Sequence, residues 1–415
     1  MRVLMLYQAD KTGETEQGVL ELCEHGNFDW TAALFAKASC KAKFESLGKP
    51  VEVIASKGFE ALEQGAALQS VLGLATTARR VVNGLAKAAQ SSDVVFMSGH
   101  SALAMAAGGL AGKIARRPVV WHVQDLMEER KVGKCERLAL RAVSKWLVSG
   151  VICNSHAARK SFMSLMGTQF SDIEVIHPGV AAQKSSDAAR YTKAEVRTMF
   201  GLPGDAYLLG CFDRLASRKG QHVVLEALAK DPDAHVLMLS AVLPGAESYA
   251  NALKLKIREL GLSHRVHFVG QHADIPLLMQ AVDVMVNAST LPDAFDRNVV
   301  AGMLAGLPVI ASRIGGNPEI VQHMKSGILI KPEDAESLLR SLQMVRNNLP
   351  FAERLGKEAA LRGATRFLPD SCLQSTNTFL RGYMQVGRRR TGWVMPRAIT
   401  GGAEQVFAGN INTVK

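Results

Sequence analysis

The sequence predicts an α/β protein built from two doubly wound domains that face each other across a cleft. Three observations carry this expectation. Short apolar runs alternate with helix-length segments along most of the chain, the pattern of parallel strands joined by crossover helices. With 415 residues, the chain exceeds what one ordinary core fills, and two domains of about 150–200 residues are expected. Near the middle a small and polar stretch, VAAQKSSDAARYTK at residues 180–193, interrupts the alternation and reads as a linker.

In the first half, strands are expected over residues 3–7, 51–54, 94–97, 119–122, 150–153 and 173–176, with helices over 30–47, 75–90 and 134–148. The second half starts afresh with strands over 207–212, 234–239, 266–269, 284–287, 307–311 and 327–330. Its helices fall over 221–230, 248–260, 298–305 and 335–347. This sets a first domain at residues 1–185, a second at 190–367 and a tail at 391–415, which is Gly-, Thr- and Asn-bearing without a period. Ligands of such sheets bind at the carboxyl ends of the strands, so the residues just past each strand carry the functional argument.

Hydrophobic content of 47% with 21% charged residues describes a globular chain rather than a disordered one. The six cysteines stand singly, with no C-x-x-C pair, which argues against a zinc site or a disulfide framework and for a reducing compartment. The N-terminus, MRVLMLYQAD, turns polar too early for a signal peptide. The apolar run at 102–111 is too short and glycine-rich to span a bilayer, so a cytoplasmic protein is expected. A net charge of +11 favours anionic partners. No nucleic-acid motif accompanies it, and nucleic acid is not an expected partner.

Five segments could carry chemistry. Residues 212–220, FDRLASRKG, place Arg214 and Lys219 between a strand end and a helix start, where two cations can neutralise a departing diphosphate or simply decorate a solvated turn. Residues 119–125, VVWHVQD, end a buried strand at His122, an imidazole that can meet a ligand hydroxyl or be satisfied within the core. In EHGNFD, residues 24–29, Gly26 permits close backbone approach, and Asn27 or Asp29 can cap a helix over 30–47. The segment GQHADIP follows a strand at Gly270 and Gln271. The longest signal is PDAFDRNVVAGMLAGLPVIASRIGGNPEI, residues 292–320: an acidic loop, a helix, a buried strand and a paired-glycine turn. A helix entered through such a loop aims unpaired N–H groups and a positive dipole end at a phosphate or polyhydroxylated ligand.

In their order and spacing these segments resemble the retaining GT-B glycosyltransferases of family 4. That family's pattern runs Glu-Pro-Phe-Gly, a helix with a second Glu, Ala-Gly-Leu-Pro-Val, then Gly-Gly-x-Pro-Glu. Here Asp293 and Ala301 occupy the two glutamate positions, so the Glu-x7-Glu motif is degenerate. The resemblance implies a GT-B fold of two Rossmann-like domains, with the helix over 368–386 packing back on the first. It implies transfer of a sugar from a nucleotide-diphosphate sugar without cofactor or metal. Arg214 and Lys219 would grip the diphosphate, Asp293 the sugar, and His122 would close the site from the other domain. Gly270 and Gln271 would meet the base. Gly315 and Gly316 would bring backbone N–H groups to the ligand, and Phe295 retains the family's aromatic. Asp296 and Arg297, beside Asn298 on the donor side, are candidates to replace the ribose contact that Ala301 cannot make. Gly26 and Asn27 would belong to the acceptor loop.

The acceptor implied is a glycan or lipid-linked saccharide. Arg137, Arg141 and Lys145 recur every four residues beside Leu138 and Trp146, which suits contact with an anionic membrane at the inner face of the cell membrane. Two other readings stay open: a non-catalytic binding or scaffold subunit of the same fold, and another GT-B-type enzyme such as an epimerase or phosphorylase.

Overall fold

The computed structural model describes residues 1–7, 14–26, 28–34, 41–53, 71–99, 102–127, 133–167, 172–181, 190–242, 245–270 and 274–387. The first domain holds strands β1 (Arg2–Tyr7), β2 (Asp29–Leu34), β3 (Val51–Val53), β4 (Val94–Ser98), β5 (Val119–Val123), β6 (Gly150–Cys153) and β7 (Ile173–Val175). Its helices are α1 (Glu14–His25), α2 (Lys41–Ser46), α3 (Val71–Gln90), α4 (Ala102–Ala115), α5 (Lys134–Leu147) and α6 (His156–Met166). The sheet is parallel, in the order β3-β2-β1-β4-β5-β6-β7.

After α7 (Lys193–Met199) the second domain begins at β8 (Tyr207–Cys211), followed by a 3-10 turn at Ser217–Lys219 and helix α8 (Gln221–Ala229). It continues through β9 (Ala234–Leu239), α9 (Glu247–Glu259), β10 (Val266–Val269), α10 (Ile275–Ala281) and β11 (Val284–Asn287). Then come α11 (Arg297–Leu304), β12 (Val309–Ser312), α12 (Asn317–Ile320), β13 (Ile328–Ile330), α13 (Ala335–Arg346) and α14 (Leu349–Arg366). This sheet is also parallel, in the order β10-β9-β8-β11-β12-β13. Strand order reverses between β1 and β4 in one sheet and between β8 and β11 in the other, and reversals of this kind are where doubly wound sheets bind ligands.

The central strands are Val-, Ile- and Leu-rich and buried along their whole length, as in β4, β5 and β12, because helices cover both faces. That burial explains one correction. The helix expected over 30–47 holds only at Lys41–Ser46, as α2; its first part is strand β2, whose residues Asp29–Leu34 pair in register with β1. Trp30, Ala32, Ala33 and Leu34 are all buried, and a short apolar run buried on both faces has no periodicity to separate strand from helix. The helix between β1 and β2 is α1, which lies earlier in the chain.

The closing helix α15 (Pro369–Gly387) returns to the first domain. Its Leu373, Leu380 and Tyr383 join Val3, Met5, Trp30 and Phe96 in one core. Tyr383 donates its hydroxyl to Asp172 and lies 3.2 Å from the Ser149 carbonyl. Gly150 is needed here, since a Cβ would overlap that hydroxyl. The tail at 391–415 and most of the linker lie outside the described residues.

The domains are also joined across the cleft. Glu319, from α12, accepts hydrogen bonds from the amides of His156 (2.8 Å) and Ala157 (2.9 Å) at the start of α6, and faces His177 Nε2 at 3.1 Å. A carboxylate at a helix N-terminus is stabilised by the unpaired amides and the dipole. Arg297 donates to the Gly179 carbonyl (3.0 Å) and to Glu21 (2.7 Å) of the first domain.

Candidate active site

The loops after β8 and β11 meet at the switch point of the second sheet, and their side chains form one charged cluster. Lys219, 4% exposed, places its ammonium 2.9 Å from Asp213 Oδ1, 3.1 Å from Asp293 Oδ2 and 3.1 Å from Asp296 Oδ2. Asp293 Oδ1 pairs with Arg218 on the more exposed side. Asn287 Nδ2 donates to Asp213 Oδ2 (3.1 Å) and Asp296 Oδ2 (2.8 Å). Asn317 Nδ2 in turn donates to Asn287 Oδ1 at 3.1 Å, which orients that amide.

Asp296 caps α11, its Oδ1 accepting from the amides of Asn298 (3.1 Å) and Val299 (3.2 Å). Burial opposes its ionisation. The Lys219 ammonium, helped by hydrogen bonds from the Val299 amide and Asn287, outweighs burial and holds the carboxyl below its usual range.

Glycines set the closeness of these loops. Gly220 has φ +68°, and a Cβ there would overlap the Ala288 carbonyl. Gly315 and Gly316 pack against the acidic loop itself: side chains there would overlap the carbonyls of Asp293 and Ala294, and the Gly316 amide donates to the Asp293 carbonyl at 2.9 Å. Their freedom brings backbone to backbone, and the loop that presents Asp293 depends on it.

Across the cleft, β5 ends at Val123 and presents a neutral network. His122 Nε2 lies 2.7 Å from Asn154 Oδ1, and His122 Nδ1 lies 3.3 Å from Gln124 Nε2. Asn154 Nδ2 is turned to the Gln124 carbonyl (3.3 Å), so Nε2 carries the imidazole proton and Nδ1 accepts from Gln124. Gln124 also donates to Ser98 Oγ at 2.6 Å. Burial lowers the His122 pKa to about 4, which keeps the ring neutral at physiological pH. His122, Gln124, Asn154, Arg297 and Glu21 line the same interdomain cavity.

Several expected site residues stand elsewhere than anticipated. Gly26 precedes β2, at the amino edge of the parallel sheet and opposite the edge that carries Gln124. A side chain there would overlap the Leu22 carbonyl and crowd the Trp30 indole, so its role is packing rather than acceptor binding. Asn27 and Gln271 lie outside the described residues. Gly270 ends the edge strand β10, with open space where a side chain would stand. Asp296 is buried under Lys219, and Arg297 is engaged by Gly179 and Glu21. Phe295 packs between His177 and Phe367 at the domain junction. Asn298 ties Asp213 Oδ1 (3.0 Å) and the Phe212 carbonyl (3.3 Å) to the start of α11. Arg214 is half-buried at the same switch point, with its carbonyl accepting from Gln221 at 2.9 Å.

Sequence reasoning missed Gln124, Asn154 and Arg218. The first was legible, because side chains two apart on a strand share a face, and Gln124 follows His122 at the strand end. Asn154 and Arg218 become site residues only through folding.

Comparison with known proteins agrees with this geometry. Residues 192–362 match the family model for glycosyl transferases group 1, and residues 44–184 match that for glycosyltransferase family 4. A D-inositol 3-phosphate glycosyltransferase of Mycolicibacterium smegmatis is 27% identical over 258 residues, which is 60% of this chain and 58% of that protein. The matched part thus spans little more than half of that curated relative. The crystal structure of Anabaena HepE in complex with UDP aligns with a TM-score of 0.79 and 27% identity, covering 92% of this chain and 100% of that one. A glycosyltransferase from Rickettsia africae has the same fold, with a TM-score of 0.79 at 18% identity over 92% of this chain and 98% of that one. With both domains matched and the fold shared, this chain belongs to the group 1, family 4 glycosyltransferases of the GT-B class.

Proposed function

We propose that the chain transfers a hexose from a nucleoside diphosphate donor to a glycan or lipid-linked acceptor, with retention of configuration. The observation that carries this reading is the pairing of Asp293 with Lys219 and Arg218, from the loop that also holds Arg214, at the switch point of the second sheet. In the reaction the bond from the anomeric carbon to the β-phosphate oxygen breaks, and its electron pair leaves with the nucleoside diphosphate. An acceptor hydroxyl oxygen bonds to that carbon, and its proton passes to the departing phosphate. Cationic side chains are suited to this step because they stand where negative charge develops. We assign that role to Arg214 and Lys219, without a cofactor or bound metal. His122, neutral and fixed in one tautomer, suits a hydrogen-bonding partner for the sugar rather than a proton carrier. A uridine diphosphate sugar is the favoured donor, because HepE binds UDP and UDP-glucose and resembles this chain across both domains.

We further propose that the first domain meets an anionic membrane surface, which suits a lipid-linked acceptor at the cytoplasmic face. Leu138 and Trp146 on α5 are 65% and 61% exposed, and Leu110 and Ile114 stand exposed on the adjoining α4. Lys145 lies over the Trp146 ring at 5.3 Å. An apolar patch mixed with cations fits an interfacial contact. Arg141 contributes little, since it turns inward to the Leu165 carbonyl at 2.9 Å. Among the described residues no helix is long and apolar enough to cross a membrane. Failure to bind anionic vesicles at low salt would count against this part of the reading.

Calorimetric titration with UDP, GDP and ADP tests the donor site. Micromolar binding of one nucleotide, lost in Arg214→Ala, supports it. Absence of binding to all of them would favour a non-catalytic subunit.

A further inference from the structure

Resting on the donor-site reading above, we propose that Tyr249 and Gln221 are positioning residues for the transfer: they hold the backbone of the turn at Asp213 and Arg214, and so fix the root of the Arg214 side chain. The connection can be followed atom by atom. Gln221 opens α8 and is fully buried. Its Nε2 donates to the Arg214 carbonyl at 2.9 Å and reaches the Asp213 carbonyl at 3.5 Å. Carbonyls only accept, so this end of the amide is the NH2 group and the other end, Oε1, is an acceptor. Tyr249, half-buried on α9, donates its hydroxyl to that Oε1 at 3.2 Å. With its proton spent there, the Tyr249 oxygen accepts from the His222 amide at 3.3 Å and faces His222 Nδ1 at 3.1 Å. Nδ1 therefore carries the proton of the neutral His222 ring. Burial pushes the Tyr249 pKa up to about 12, which keeps the hydroxyl protonated. Two backbone carbonyls of the donor turn thus dictate every polarity out to α9.

Arg214 stands between two anchored neighbours. The Asp213 carboxylate is held by Lys219, Asn287 and Asn298, and the Leu215 amide donates to the Ala241 carbonyl at 2.8 Å, in the segment that leads to α9. Gln221 adds the hold on the Arg214 peptide itself. Arginine has a long stem, and a guanidinium meets a phosphate in a set geometry only when that stem starts from a fixed point. Removing the Tyr249 hydroxyl leaves the Gln221 Oε1 buried without its donor. The amide then gains by turning towards another partner, which releases the two carbonyls. The charge of Arg214 stays, but its root drifts. Tyr249 and Gln221 therefore act on the donor through Arg214.

The test is a double-mutant cycle read by calorimetry with UDP, on wild type, Tyr249→Phe, Arg214→Lys and the double variant, with circular dichroism to verify folding. Tyr249→Phe is expected to weaken UDP about three- to tenfold in the wild-type background. In the Arg214→Lys background the same substitution should change little, because residues that act as a unit are not additive. Gln221→Glu is the second arm: its carboxylate keeps the size but cannot donate to the carbonyls, and it too should weaken UDP. Nitrogen NMR of His222 reads the relay without ligand. The Nδ1–H tautomer is expected in wild type. Unchanged UDP affinity in folded Tyr249→Phe and Gln221→Glu, or equal losses from Tyr249→Phe in both backgrounds, would overturn the positioning role while leaving the donor site standing. An Nε2–H tautomer of His222 would overturn the relay. Wild type that binds no UDP, with the Nδ1–H tautomer present, overturns instead the donor-site reading on which this inference rests.

Discussion

On the second-domain side of the cleft Asp213, Arg218, Lys219, Asp293 and Asp296 lie in one ion-paired cluster, whereas the facing edge of the first domain offers Ser98, Gln124, His122 and Asn154, a network without net charge. The two edges come from the same kind of sheet and the same kind of strand end, so fold does not dictate the difference. The charged side gathers two cations and three carboxylates, a balance that an arriving polyanion would change. The neutral side holds its hydrogen-bonding geometry across a wide pH range, because its imidazole resists protonation. The transfer proposed above would draw on both: electrostatic response at the leaving group and fixed polar geometry at the sugar.

The contrast can be broken most severely at Lys219. Lys219→Met leaves three carboxylates around an apolar side chain, and removing one partner from a buried ion cluster costs about 3–5 kcal/mol. Urea unfolding of the variant should show that loss in the second domain; stability within 1 kcal/mol of wild type, on the order of a surface substitution, would mean that the cluster is not a structural unit.

The neutral side is probed by pH. The unfolded chain takes up a proton at His122 near 6.5, the folded chain only near 4, so between these values the unfolded state binds more protons and stability falls as pH falls. The loss reaches roughly 3 kcal/mol by pH 4. His122→Gln should remove that part of the slope, and a pH profile parallel to wild type would contradict the assignment.

A third variant asks whether the two sides act together. Glu319→Ala removes a carboxylate that bridges α12 to α6 and should cost about 1.5–3 kcal/mol. Burial opposes ionisation of Glu319, but hydrogen bonds from His177 and from the His156 and Ala157 amides hold its pKa below the usual range. Its stabilisation is therefore present above the unfolded carboxylate pKa and lost as pH falls through the lower folded value. Separate unfolding of the two domains in Glu319→Ala, against coincident unfolding in wild type, is the expected readout. The smallest effect is expected at Gly316→Ala, about 1–3 kcal/mol from overpacking against Ala294, with weaker nucleotide binding because the Asp293 loop is displaced.

The alternation of buried strands and helices was legible because parallel sheets demand continuous apolar runs, and Arg214, Lys219, Asp293, His122 and the paired glycines all sit just past such runs or at their ends. The β2 strand was not legible, because a segment buried on both faces lacks a period, and misreading it moved Gly26 to the wrong edge of the sheet. The environment of Lys219 was equally hidden. FDRLASRKG and PDAFDR lie some eighty residues apart, and nothing local announces that Asp213 and Asp296 converge on one ammonium. Asp296 and Arg297 read as free to bind ribose because a sequence shows which groups are present and not which are already partnered.

The central claim, that the second-domain cluster receives a nucleoside diphosphate, is met most directly by phosphorus NMR of UDP titrated with the wild-type protein, with UMP as comparison. The account predicts that the β-phosphate resonance of UDP shifts and broadens as the complex fills, and that UMP binds more weakly. A β-phosphate resonance that stays at its free position while the uridine protons report binding would contradict it.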